Sequence, residues 1–173
     1  MLRELVDQRE LRAVGATAFA VTPALREAYA SGDDEELAEV AMGEAARAAL
    51  RFIAAERDAI TEAMAAGDDP DDAALPDAPV YRRAVIAADV TGAKLRPDLD
   101  DAVVRLSGPI TYDRIASVHV DLADAEPAVA KAVDVIDAAD LGDPDAEFVL
   151  GDAEDHQLAW YAAQELPFLL ELL

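Results

Sequence analysis

The chain has 173 residues, 37 acidic and 14 basic, for a formal net charge of −23; such a field repels DNA, RNA and anionic lipid. At 5% aromatic residues there is little to stack bases on. With no cysteine, disulfides, thiolate chemistry and cysteine-held zinc are excluded, and no apolar run reaches the roughly 18 residues of a membrane span. The hydrophobic fraction is 53% and rich in alanine, which predicts a core of small contacts between closely packed helices. The length suits a single domain over 1–173. Lys94 and Lys131 are the only lysines, so the acid excess accords with either a salt-adapted proteome or a high-GC genome. Met1-Leu-Arg-Glu-Leu-Val-Asp7 lacks the apolar centre of a signal peptide, so a cytoplasmic location is expected.

In chain order, Leu2, Leu5, Val6 and Leu11 predict a first short helix with no capping residue ahead of it. Thr17 to Val21 is a short apolar run that fits a buried strand. Thr22-Pro23 is a helix start, a hydroxyl cap followed by proline at the first position. Asp33 or Asp34 caps the next and longest helix, which is expected to run to about Ala66, with a kink conceivable at Gly43. Its stripe is Leu37, Val40/Ala41, Ala45, Ala48/Ala49, Phe52/Ile53, Ile60 and Met64, with Arg47, Arg51 and Arg57 on the wet side. Residues 67–79 are dense in Asp, Pro and Gly and read as a mobile loop.

Val80 to Val90 reads as a strand that opens on Arg82 and Arg83 and ends on Asp89. Lys94 to Asp101 is a turn-rich connection, Val103 to Leu106 a shorter strand, and Ser107-Gly-Pro109 a turn into Ile110 to Asp113. Ile115 to Leu122 alternates Val118, Val120 and Leu122 with Ser117, His119 and Asp121, the period of a half-buried strand. Pro127 then opens a helix over 126–139 with Val129, Val133 and Ile136 on one face. Ala146 to Leu150 is too short to assign, and Asp152 to Asp155 reads as an acidic turn. Gln157 to Ala162 reads as a last strand and Glu165 to Leu173 as a terminal helix. The fold class is therefore α+β: one mixed sheet of about four or five strands, helices mainly on one face, in a split β-α-β-like arrangement. The single helix between residues 122 and 157 suits a right-handed parallel crossover, and the strands at 80–90 and 115–122 are expected to be antiparallel neighbours.

Three phrases carry a resemblance: Thr17-Ala-Phe-Ala-Val-Thr-Pro-Ala-Leu-Arg-Glu-Ala-Tyr29; Val118-His-Val-Asp121 with Glu126-Pro127; and Asp155-His-Gln-Leu-Ala-Trp-Tyr161 with Gln164-Glu-Leu166. Over nearly the whole chain the sequence resembles an uncharacterised family of short actinobacterial proteins, for which no activity is established. The resemblance implies a high-GC origin. It also implies a short strand ahead of the first helix; because the chain begins at Met1 inside that helix, the strand is expected to have been left out. One sheet position is then vacant, and an unpaired edge invites a second copy, so a homodimer is the expected partner.

Four groups of residues bear on chemistry or binding. Asp89, His119, Asp121 and His156, with Asp152 and Asp155 nearby, suggest a carboxylate–imidazole cluster able to hold a divalent metal and assist hydrolysis. The competing account leaves them as the solvated side of a strand and a turn, and no spaced motif such as H-E-x-x-H is present. Ser117 sits two residues from His119, but no G-x-S-x-G elbow exists. No glycine-rich phosphate loop is present, and no cofactor is expected. Arg82, Arg83, Lys94, Arg96, Arg105 and Arg114 either form a less acidic patch or pair with neighbouring acids. Trp160, Tyr161 and Phe168 either mark an interface or lock the last strand and helix into the core. The leading expectation is a small acidic non-enzymatic binding or assembly module, with a metal-dependent hydrolase as the alternative.

Overall fold

The computed structural model describes residues 2–29, 31–66 and 79–172. In chain order the elements are α1 (Leu2–Gln8), β1 (Glu10–Leu11), β2 (Thr17–Phe19), α2 (Pro23–Ala28), α3 (Asp34–Ala66), β3 (Ala84–Ala88), β4 (Lys94–Leu95), β5 (Val103–Arg105), β6 (Ile110–Thr111), β7 (Ile115–Val120), α4 (Glu126–Asp140), α5 (Pro144–Glu154), β8 (Ala159–Ala162) and α6 (Leu166–Leu172). This is an α+β protein. The chain groups into two compact units, one of Met1–Ala46, Ala84–Val120 and Ala159–Leu173, the other of Arg47–Arg83 and Asp121–Leu158. The loop expected at 67–79 lies, but for its last residue, outside the described residues.

Among the described residues the first unit holds three small antiparallel sheets, ordered β1-β6, β2-β5-β4 and β3-β7-β8, in place of the single mixed sheet expected. Residues 9–20 run antiparallel beside 102–112, through Tyr112 N–H to Arg9 O, Leu106 N–H to Ala16 O and Ala20 N–H to Ala102 O. Gly15 and Ala16 both take left-handed backbone, φ 61° and 55°, and that turn divides what would be one ribbon into two short ones. Arg9 is left-handed as well, φ 58°, and lays its guanidinium over the Tyr112 ring at 3.5 Å, a cation–π contact.

In the third sheet, β7 is central. Val118 and Val120 are buried with Ile115, Leu5, Leu166 and Leu169, and Ala84, Ile86 and Tyr161 pack against them. β3 is antiparallel to β7, as expected, with a register irregularity at Ala87/Ala88. β8 is antiparallel to β7 as well, not the parallel crossover expected. Two helices, α4 and α5, separate β7 from β8; a second helix reverses the chain once more, so the returning strand arrives antiparallel. The strand at 115 ends at Val120, and Leu122 is exposed.

Helix starts follow the sequence closely. The Thr22 side chain accepts from Leu25 N–H at 3.1 Å, with Pro23 at the first turn, and its hydroxyl donates to the Asp101 carbonyl. Asp33 Oδ1 accepts from the Glu35 and Glu36 amides, both at 3.0 Å. Asp143 Oδ1 caps α5 through Asp145 and Ala146. α3 passes through Gly43 unbroken.

The second unit is built on helix packing. Leu50, Ile53 and Ala54 of α3, Val129, Ala132, Val133, Ile136 and Ala139 of α4, and Ala146, Leu150 and Ala153 of α5 form its core. Alanine at four of the α4 and α5 positions lets the backbones approach, with burial worth about 25 cal/mol per Å² of apolar surface. Arginines of α3 then tie the helices at the rim: Arg47 to Glu147 (2.6 and 3.0 Å), Arg51 to Asp140 (two bonds of 2.6 Å) and Arg57 to Asp134 (2.7 Å). These arginines therefore bridge helices and do not simply face water.

Candidate functional site

Asp121 follows β7 in the chain and Arg83 precedes β3, and both are 2% exposed. The guanidinium is bidentate: Nε donates to Oδ2 and Nη2 to Oδ1, each at 2.8 Å. The Arg83 backbone N–H donates to Oδ2 at 2.8 Å, and Asp121 N–H to the Arg83 carbonyl at 3.0 Å. Arg83 Nη2 also donates to the His156 carbonyl at 2.8 Å. The planar fork suits a carboxylate, and every buried side-chain polar atom among the described residues finds a partner.

This assignment removes Asp121 from metal chemistry, since Arg83 occupies both its oxygens. His156 meets that pair through its backbone carbonyl. Asp89 is exposed beyond the end of β3, its N–H bonded to the Arg114 carbonyl at 2.8 Å. Among the described residues no group of three or more His, Asp or Glu is placed to hold a metal ion. Among the described residues Asp89, His119, Asp121 and His156 therefore form no metal-holding group, and both oxygens of Asp121 are engaged by the buried Arg83. Asp152 lies in the last turns of α5 and not in a loop.

In β7, His119 alternates with the buried Val118 and Val120 and takes the face opposite to them. Its Nε2 lies 3.0 Å from Ser117 Oγ, and burial pushes the imidazole below its ordinary pKa, so the ring is neutral near pH 7 and able to accept the hydroxyl proton. The register sets His119 between Val85 and Trp160, and Ser117 between Ala87 and Ala162. No hydrogen bond to a carboxylate orients the imidazole among the described residues; the pair lacks the third member of a hydrolytic triad.

The aromatic group divides. Trp160 in β8 is 61% exposed and Phe168 in α6 is 70% exposed, whereas Tyr161, one residue on from Trp160, turns to the other face and packs against the core around Val118. β8 is Ala-Trp-Tyr-Ala, with no charge, no proline and no bulge, and among the described residues it pairs with β7 alone. This unprotected edge is a feature that periodicity could not reveal, because it depends on strand order.

Compared with known families, the sequence matches over residues 1–170 a family of unknown function, DUF6912. The chain belongs to that family. No curated protein and no solved structure matches it. No helix among the described residues is long and apolar enough to cross a membrane.

Proposed function

We propose that the protein is a non-enzymatic assembly module that pairs with a second copy of itself through the outer edge of β8. The observation that carries this reading is Trp160, more than half exposed at the centre of an uncharged edge strand. Sheet edges of this kind are ordinarily blunted by lysine, proline or a bulge. A two-fold axis normal to the sheet sets Trp160 opposite its own equivalent, with Ala159 opposite Tyr161, and gives a closed, self-complementary contact. The small residues Ala159 and Ala162 at either end of the strand leave its backbone accessible.

The chain has one tryptophan, so its fluorescence reports this contact alone. The expected result is a dimer by light scattering at micromolar concentration, with Trp160 emission shifting to the blue as the dimer forms. Trp160→Glu is expected to give a monomer with unchanged secondary structure. A monomer at every concentration, or a dimer indifferent to Trp160→Glu, would overturn the reading.

A further inference from the structure

We propose that a pocket in the first unit, formed by the turn after β3, the loop between β5 and β6 and the residues before β7, binds a small zwitterion of the α-amino-acid class. Its volume is about 210 Å³, and its lining includes Asp89, Thr91, Ser107, Gly108 and Arg114. That lies below the roughly 300–1,000 Å³ of pockets for drug-sized ligands, which restricts the occupant to a small molecule.

The walls are held by hydrogen bonds to main-chain carbonyls. Asp89 N–H donates to the Arg114 carbonyl at 2.8 Å, and Ser107 Oγ donates to the Thr91 carbonyl at 3.4 Å. Gly92 turns the chain at φ +75°, and a Cβ there would meet Ser107 Oγ at 3.1 Å; the glycine therefore permits this close approach.

The charges select the ligand. Among the described residues Arg114 has no carboxylate nearer than Asp113, at 3.9 Å. The Asp89 carboxylate makes no hydrogen bond or ion pair among the described residues, and the two side chains do not pair with each other. Most other arginines in this acid-rich chain are tied to an acid at under 3 Å. One guanidinium and one carboxylate left apart on the same small cavity fit a molecule carrying both an ammonium and a carboxylate. The guanidinium takes the ligand carboxylate through charge-assisted donors, Asp89 takes the ammonium, and the Ser107 and Thr91 hydroxyls favour a polar side chain. A simple anion meets Asp89, and a simple cation meets Arg114, so neither fits as well.

Titration calorimetry with L-serine, N-acetyl-L-serine and L-serinamide tests this, with amide chemical shifts locating the site. L-serine is expected to bind at least about tenfold tighter than either analogue, with shifts confined to residues 89–92 and 106–114. Arg114→Gln is expected to abolish the preference for L-serine over L-serinamide, and Asp89→Asn the preference over N-acetyl-L-serine. Both side chains are exposed, so both variants keep the fold. No heat and no shifts with glycine, L-serine or L-threonine at about 10 mM would overturn the proposal. So would tighter binding of L-serinamide than of L-serine, the mark of mere attraction to an acidic surface, or L-serine binding indifferent to both variants.

Discussion

The Arg83 guanidinium grips both oxygens of the Asp121 carboxylate with each side chain withdrawn from water. Removing one partner strands the other as a buried charge, which costs about 3–5 kcal/mol. Asp121→Leu and Arg83→Met are each expected to lower the unfolding free energy by that amount in urea titrations. The double variant is expected to be less destabilised than either single one, because no charge is left unpaired. It still forfeits the donor to the His156 carbonyl and so stays below the native protein. A double variant as unstable as the sum of the two singles would show the pair to be independent.

Thr22 gives a second stability test. Its hydroxyl oxygen caps α2 at Leu25 and its proton serves the Asp101 carbonyl, at a site 3% exposed. Thr22→Val keeps the volume and removes both bonds, and is expected to cost about 1–2 kcal/mol. Thr22→Ser is expected to recover most of it.

The ion pairs of the second unit predict acid sensitivity. The Arg51 guanidinium holds Asp140, and the Arg47 guanidinium holds Glu147, below their ordinary carboxylate pKa values. Depressed folded-state values mean that the stabilisation is fully present above the unfolded values of about 4 and is lost as pH falls through the lower folded ones. The pairs are partly exposed and screened by solvent, so the melting temperature is expected to drop modestly below about pH 4. Arg51→Gln and Arg47→Gln are expected to flatten that drop.

His119 acts in a different window. Burial lowers its pKa, so below the ordinary imidazole value of about 6.5 the unfolded chain takes up a proton more readily than the folded one. Stability then falls as pH drops from about 6.5 towards the folded value. Melting curves from pH 7 to 5 are expected to show a small loss in the native protein that His119→Gln lacks. The same variant leaves Ser117 without its partner at 3.0 Å.

Salt tests the assembly. Two chains of charge −23 repel, and the screening length falls from about 30 Å at 0.01 M to about 10 Å at 0.1 M. Light scattering is expected to show a tighter dimer as sodium chloride rises. An association held by ion pairs would weaken instead.

Much of the secondary structure was legible because caps and periodicity are local signals. Thr22-Pro23 announced α2, Asp33 announced α3, and Val118 and Val120 marked the buried face of β7. Asp143-Pro144 carries the same start signal as Thr22-Pro23, and Ala146, Leu150 and Ala153 recur at helical spacing, but the glycine beside Asp143 reads equally well as a turn and alanine contributes little to an apolar pattern, so α5 is not legible. Without α5, a single helix between β7 and β8 predicts a parallel return where the structure has an antiparallel one. The burial of Asp121 is hidden for another reason. Alternation sets it beside His119 on the wet side, while its partner Arg83 stands 38 residues away, beyond any spacing rule. The exposure of Trp160 and the pocket at Asp89 and Arg114 likewise depend on tertiary neighbours.

The position of β8 at the margin of its sheet has a consequence for growth. β3 and β8 are the two outer strands of one sheet, and the proposed two-fold contact joins like margins, β8 to β8. A head-to-tail contact between unlike margins adds copies without limit and becomes a filament. A contact of β8 with its own equivalent uses up that margin in both copies, so the proposed association terminates at two.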